Sequence, residues 1–236
     1  MARIFRTVTV AAGLSLLLGI ATLSAQDAKK GPTPANPVGA GNWSAKATPE
    51  ASGGLTLDAR QTAVVKQVEA YFNALENLRG SFVQTTADNK RMRGKVFVKK
   101  PGRFRFDYAL PSKQVILSDG RFLAIQDHDL GNEDVVELDN TPFRLLLRKD
   151  VDLLRDARIN EVQEADDLLI VSLQDNSPDT PGRIKLILLK KPQVELKEWV
   201  TTDAQGLDTR IELTDVNRTE DIDATMFKRQ PMNRRN

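Results

Sequence analysis

GKVFVKKPGRFRFDYALPSKQVILSDGRFLAIQD, residues 94–127, decides how the chain reads. At its centre, Arg103-Phe104-Arg105-Phe106-Asp107-Tyr108 alternates charged and aromatic residues. A period of two puts Phe104, Phe106 and Tyr108 on one face of a strand and the charges on the other. Pro101-Gly102 and Asp119-Gly120 are turn dipeptides, so the stretch predicts consecutive short strands joined by tight turns. The pattern continues outward. SFVQTT (81–86), DVVEL (134–138), RINEV (158–162), DLLIVSLQD (167–175), RIKLILLK (183–190), VELKEWVTTD (194–203) and TRIELTDV (209–216) are further candidate strands. Turn signals separate them at Ala87-Asp88-Asn89, Gly131-Asn132, Ser177-Pro178-Asp179 and Gln205-Gly206. About eleven short strands at this spacing predict an antiparallel sheet or barrel.

Two segments break the period. Before the strands, Asp58 with Gln61 three residues on makes a capping box. Val64, Val65, Val68, Tyr71, Phe72, Leu75 and Leu78 then follow at helical spacing, with Gly80 as the stop. Partway along the strands, Thr141-Pro142-Phe143-Arg144-Leu145-Leu146-Leu147 and Val151-Asp152-Leu153-Leu154 read as short helical turns, with Pro142 at a helix start. The fold class is therefore α+β, mainly β, with one long N-terminal helix and a leucine-rich insert.

The N-terminus reads as an address. Met1 to Arg6 is short and basic, the apolar run VTVAAGLSLLLGIATL follows, and Ser24-Ala25 closes it. This order predicts a secretory signal peptide over residues 1–25. Residues 26–54, rich in Pro, Gly and Ala, form a flexible tether, and residues 55–236 the folded domain. Losing residues 1–25 takes Lys plus Arg from 34 to 32 against 32 Asp plus Glu, a net charge of zero. A nucleic-acid binder would want a clear positive excess.

Composition removes much chemistry. With no Cys there is no disulfide, thiolate metal site or Cys nucleophile. The one His, His128, lies in a turn-like Gln126-Asp127-His128-Asp129 and makes a weak metal site. No GxGxxG, GxxxxGK[ST] or GxSxG occurs. Paired carboxylates (Asp166-Asp167, Glu220-Asp221, Glu133-Asp134) fall at turns and strand ends, where charges meet water. The chain is therefore read as a binder, not an enzyme, with no cofactor and no metal. Lys90, Arg91, Arg93, Lys95, Lys99, Lys100, Arg103 and Arg105 form a basic cluster. It is either a docking patch for an acidic partner or anionic lipid, or the charged outer face of a hairpin. A strongly curved sheet with a helix across its concave side encloses an aliphatic cavity suited to acyl chains where its inward residues are not fully packed; fully packed, the same residues make an ordinary core.

The 94–127 stretch, together with residues 141–147, Glu198-Trp199-Val200, Asp203-Ala204-Gln205-Gly206 and Asp223-Ala224-Thr225-Met226-Phe227, resembles the periplasmic lipoprotein carrier (LolA) family in order and spacing. The resemblance covers roughly residues 57–230. It implies an incomplete antiparallel β-barrel whose open mouth is covered by short lid helices over a hydrophobic cavity for lipoprotein acyl chains. It implies a monomeric periplasmic shuttle for acylated lipoproteins, loaded by an inner-membrane ABC exporter (LolCDE type) and unloaded by an outer-membrane acceptor lipoprotein (LolB type). Lys100 before Pro101 stands where the family often has an Arg that holds the covering helices. Phe104 and Phe106 match the cavity rim, and Leu145, Leu146 and Leu147 the lid. A related fold also serves sensors that bind an anti-sigma factor, so a regulatory module is the alternative.

Overall fold

The computed structural model describes residues 54–230 and 232. The expected signal peptide, residues 1–25, and all of the expected tether, residues 26–54, but Gly54 lie outside the described residues. Helix α1 (Ala59–Ala74) leads into β1 (Asn77–Thr85), β2 (Arg91–Lys99), β3 (Arg103–Tyr108), β4 (Gln114–Asp119), β5 (Phe122–Asp127) and β6 (Asn132–Glu137). A single 3-10 turn (Leu138–Asn140) and helices α2 (Arg144–Leu147) and α3 (Leu153–Asp156) follow. The chain continues through β7 (Ala157–Glu164), β8 (Leu168–Asp175), β9 (Arg183–Leu189), β10 (Glu195–Thr202) and β11 (Asp208–Asn217), and then a 3-10 turn (Ala224–Phe227).

All eleven strands join one sheet in the order β6-β5-β4-β3-β2-β1-β11-β10-β9-β8-β7, antiparallel throughout. Two meanders, β1 to β6 and β7 to β11, are zipped together where β1 pairs with β11. The two outermost strands, β6 and β7, are neighbours in sequence. The insert, residues 138–156, must therefore travel from one edge of the sheet to the other. The predicted incomplete barrel is this open sheet, rolled without an edge-to-edge ladder.

Alternation positions the interior. In β3, Phe104, Phe106 and Tyr108 are buried and the charged residues between them are half-buried. In β9, Ile184, Leu186 and Leu188 take the inward positions. Phe106 is the aromatic centre, edge-on to Phe82 at 5.1 Å, Phe104 at 5.9 Å and Trp199 at 6.2 Å between centroids. Helix α1 opens on the expected capping box: the Gln61 amide donates to Asp58 at 2.7 Å, and the Asp58 amide to the Gln61 side chain at 3.1 Å. It buries Val64, Val65, Val68, Tyr71 and Phe72, packing on β7, β8 and α3.

One boundary differs from the sequence reading. The helix ends at Ala74, Leu75 is extended, and Leu78 and Gly80 belong to β1. Leu78 happens to satisfy both the helical and the strand spacing, so apolar positions alone place it equally well on either. Gly80 stops no helix. It sits at a bulge where β11 comes close, and a Cβ there would lie 2.9 Å from the Thr214 carbonyl oxygen.

Candidate functional site

The two meanders, α1 and the insert converge on an apolar recess of about 60 Å³. Phe72 comes from α1 and Leu75 from the residue just after it, Val96 and Val98 from β2, Phe104 and Phe106 from β3, Ile184 and Leu186 from β9, and Leu196 and Trp199 from β10. Leu78 and Leu213 come from the central pair, while Phe143, Leu146 and Leu147 of the insert complete the wall as a roof. An apolar cavity that takes up benzene measures about 150 Å³, so a recess of this volume holds no acyl chain. Any long apolar occupant has to displace the roof.

Polar contacts at the insert's flanks hold that roof. The Gly102 amide, in the β2–β3 turn, donates to the Leu147 carbonyl at 2.9 Å. On the opposite meander, the Arg144 guanidinium forks onto Asp175 at the end of β8, with Nη2 to Oδ1 at 2.6 Å and Nε to Oδ2 also paired. The Asp175 side chain is wholly buried. Farther along, the Asn73 side chain of α1 both donates to and accepts from the Val151 backbone, at 2.9 and 2.8 Å. The Leu153 amide donates to Glu69 at 3.0 Å. The insert is thus pinned to both meanders and to α1, with apolar side chains beneath it.

The residues singled out in the sequence separate here. Phe104, Phe106, Leu146 and Leu147 line the recess, whereas Leu145 is buried in the surrounding core and is not part of the wall. Lys100 is half-buried, and its Nζ donates to the Phe72 carbonyl in the last turn of α1 at 2.6 Å. Its own amide donates to the Glu76 carbonyl at 2.9 Å. Lys100 therefore ties the β2–β3 turn to the end of α1, while the hydrogen bond to the leucine segment comes from Gly102. Burial pushes the Lys100 ammonium below its usual pKa, and Asp150 opposes that shift. Phe72, Val96, Val98, Ile184, Leu186, Leu196, Trp199 and Leu213 were not singled out. Their inward parity was legible, but parity does not distinguish a cavity wall from ordinary core. The Trp199 indole N–H is buried without a hydrogen-bond partner.

Acid should loosen the insert. Asp156, closing α3, is held below the usual carboxylate range first by the Arg155 hydrogen bond at 2.9 Å and then by the charges of Arg148, Arg155 and Arg144. A carboxylate whose folded pKa is depressed gives stability that is complete above the ordinary Asp value of about 3.9 and is lost as pH falls through the lower folded value. Amide exchange of residues 144–156, corrected for intrinsic rate, is expected to speed up on acidification below pH ~4. Asp156→Asn should flatten that dependence; an unchanged profile in the variant would remove Asp156 from the account.

Fold and site together define a class: an open antiparallel half-barrel whose apolar interior is roofed by a short helical crossing. The chain belongs to the outer membrane lipoprotein carrier protein LolA family, which it matches over residues 73–230. It is 28% identical over 176 residues to an outer-membrane lipoprotein carrier protein of Chromohalobacter salexigens, covering 71% of this chain and 82% of that one. Among solved structures, a LolA superfamily protein from Nitrosomonas europaea aligns over 72% of this chain and 97% of its own, with TM-score 0.42 and 12% identity. The Pseudomonas aeruginosa MucA/MucB complex aligns over 73% and 62%, with TM-score 0.43 and 13% identity. Among the described residues no helix is long and apolar enough to cross a membrane.

Proposed function

We propose that this chain is a periplasmic chaperone that hides lipoprotein acyl chains beneath the insert and carries them from the inner to the outer membrane. Its donor would be an ABC exporter of the LolCDE type and its acceptor an outer-membrane lipoprotein of the LolB type. The observation that carries the reading is the recess, walled only by apolar residues of both meanders and α1 and closed by a separately pinned roof. Each methylene kept from water is worth about 0.8 kcal/mol, so an acyl chain cannot cross an aqueous compartment unshielded. The roof leucines and Phe143 occupy the volume that cargo would take, and they cover the apolar wall when cargo is absent. The sequence contains no phosphate cradle, so in this reading direction comes from tighter binding at the acceptor.

Native mass spectrometry of the protein recovered from a periplasmic extract tests this. Adducts with the masses of acylated polypeptides are expected, and they should be lost on substituting Phe106→Glu at the recess wall. Recovery of cargo-free protein alone, with an acylated lipoprotein co-produced in excess, would refute the reading.

A further inference from the structure

The three most exposed large apolar residues among those described are all leucines on hairpin turns: Leu110 at 76%, Leu130 at 69% and Leu207 at 52%. Leu110 lies between β3 and β4, Leu130 between β5 and β6, and Leu207 between β10 and β11. These turns share one end of the sheet. The His128 amide donates to the Lys113 carbonyl at 3.3 Å, and Lys113 pairs with Asp129 at 2.9 Å, joining the first two turns. The β1–β2 turn lies beside them, because the Ala109 amide donates to the Arg93 carbonyl. The pairing of Thr85 with Arg210 brings the β10–β11 turn to the same end.

Between the β1–β2 and β3–β4 hairpins is a surface depression of about 640 Å³ lined by Lys90, Arg91, Arg93, Leu110, Lys113 and Asp129, among others. Its acids are already engaged. Asp129 faces Lys113, and Asp127 accepts the Asp129 and Leu130 amides at 2.9 and 3.0 Å. Asp88, in the neighbouring turn, is hydrogen-bonded to Thr86. Arg91 and Arg93 are exposed and make no ion pair among the described residues.

Single apolar side chains on protruding turns, next to uncompensated cations, match the two layers of a bilayer surface. Leucines suit the boundary between headgroups and acyl chains, and guanidinium forks suit phosphate. A protein partner would instead call for a continuous patch with a packed centre. We propose that this end of the sheet docks on a membrane carrying anionic phospholipid, with Leu110 and Leu130 entering the interface and Arg91 and Arg93 meeting headgroup phosphates. The inference uses none of the recess residues and stands apart from the cargo reading.

Co-sedimentation of the chain from residue 26 onward tests it, using vesicles of phosphatidylcholine alone and of phosphatidylcholine with phosphatidylglycerol. Binding is expected only to the mixed vesicles, and it should weaken as salt shortens the Debye length from about 10 Å at 0.1 M to about 3 Å at 1 M. Arg91→Gln with Arg93→Gln should lower binding about 25-fold, at roughly fivefold per cation near the surface. Leu110→Asn should lower it about tenfold. All three positions are exposed, and unchanged thermal melts would show that the variants are folded. Equal binding to both vesicle types, or binding that ignores these substitutions, would overturn the proposal. So would absence of vesicle binding, including the case in which an acidic protein binds the same arginines.

Discussion

Replacing Arg144 by alanine is expected to cost about 3–5 kcal/mol of folding stability, far more than an ordinary surface arginine. The reason lies in its partner. Asp175 is wholly buried at the end of β8, and the guanidinium contributes two of its hydrogen bonds, one of them at 2.6 Å. The Ser177 amide, at 2.7 Å, supplies a third. Without Arg144 that amide is left alone with a buried negative charge. Replacing both partners by apolar residues of similar size, Arg144→Met with Asp175→Leu, should return stability to within about 2 kcal/mol of the parent, because no charge is then stranded. Denaturant midpoints at constant slope would measure both. The double variant should also exchange the amides of Leu145 to Leu147 faster than the parent, since the fork is what fixes α2 to the second meander. A loss below about 1 kcal/mol for the single variant would mean that the pair does not form in solution.

Phe106→Ala should be comparably damaging, about 3–5 kcal/mol, for a different reason. Phe106 touches the aromatic residues of β1, β3 and β10 and lines the recess itself. Truncation does not open an isolated hole; it merges the lost ring volume with the existing void. Apolar cavities of that kind stay dry and take up small apolar guests. The variant should therefore bind xenon or benzene more tightly than the parent, with shifts in the methyl signals of Leu146, Ile184 and Leu186. Stability loss without gained guest binding would show that the roof collapses into the space.

Most of the strand architecture is legible in the sequence, because period two is imposed by backbone geometry and turns carry their own residue types. Arg103 to Tyr108 is the clearest case: its alternation, its turns and its inward aromatics all hold in the structure. The capping box at Asp58 was equally plain, since it depends on neighbours three residues apart. The helix end is not legible, because Leu78 serves two periods at once. The site was legible only in part. Phe104, Phe106, Leu146 and Leu147 could be named, yet nothing local marks Trp199 or Ile184 as wall rather than core. Arg144 and Asp175 are 31 residues apart, and that pairing depends on how the sheet rolls. Long-range geometry of this kind leaves no periodic trace in the chain.

The strand order carries one more consequence. Each half of the sheet is a simple up-and-down run of neighbours, and a single covalent passage, residues 138–156, joins them. A cut within that passage would sever no inter-strand ladder: two fragments would remain stitched along the β1–β11 seam, with only the cover set loose. The part of the molecule whose movement would empty or fill the interior is thus the part its β-framework can spare.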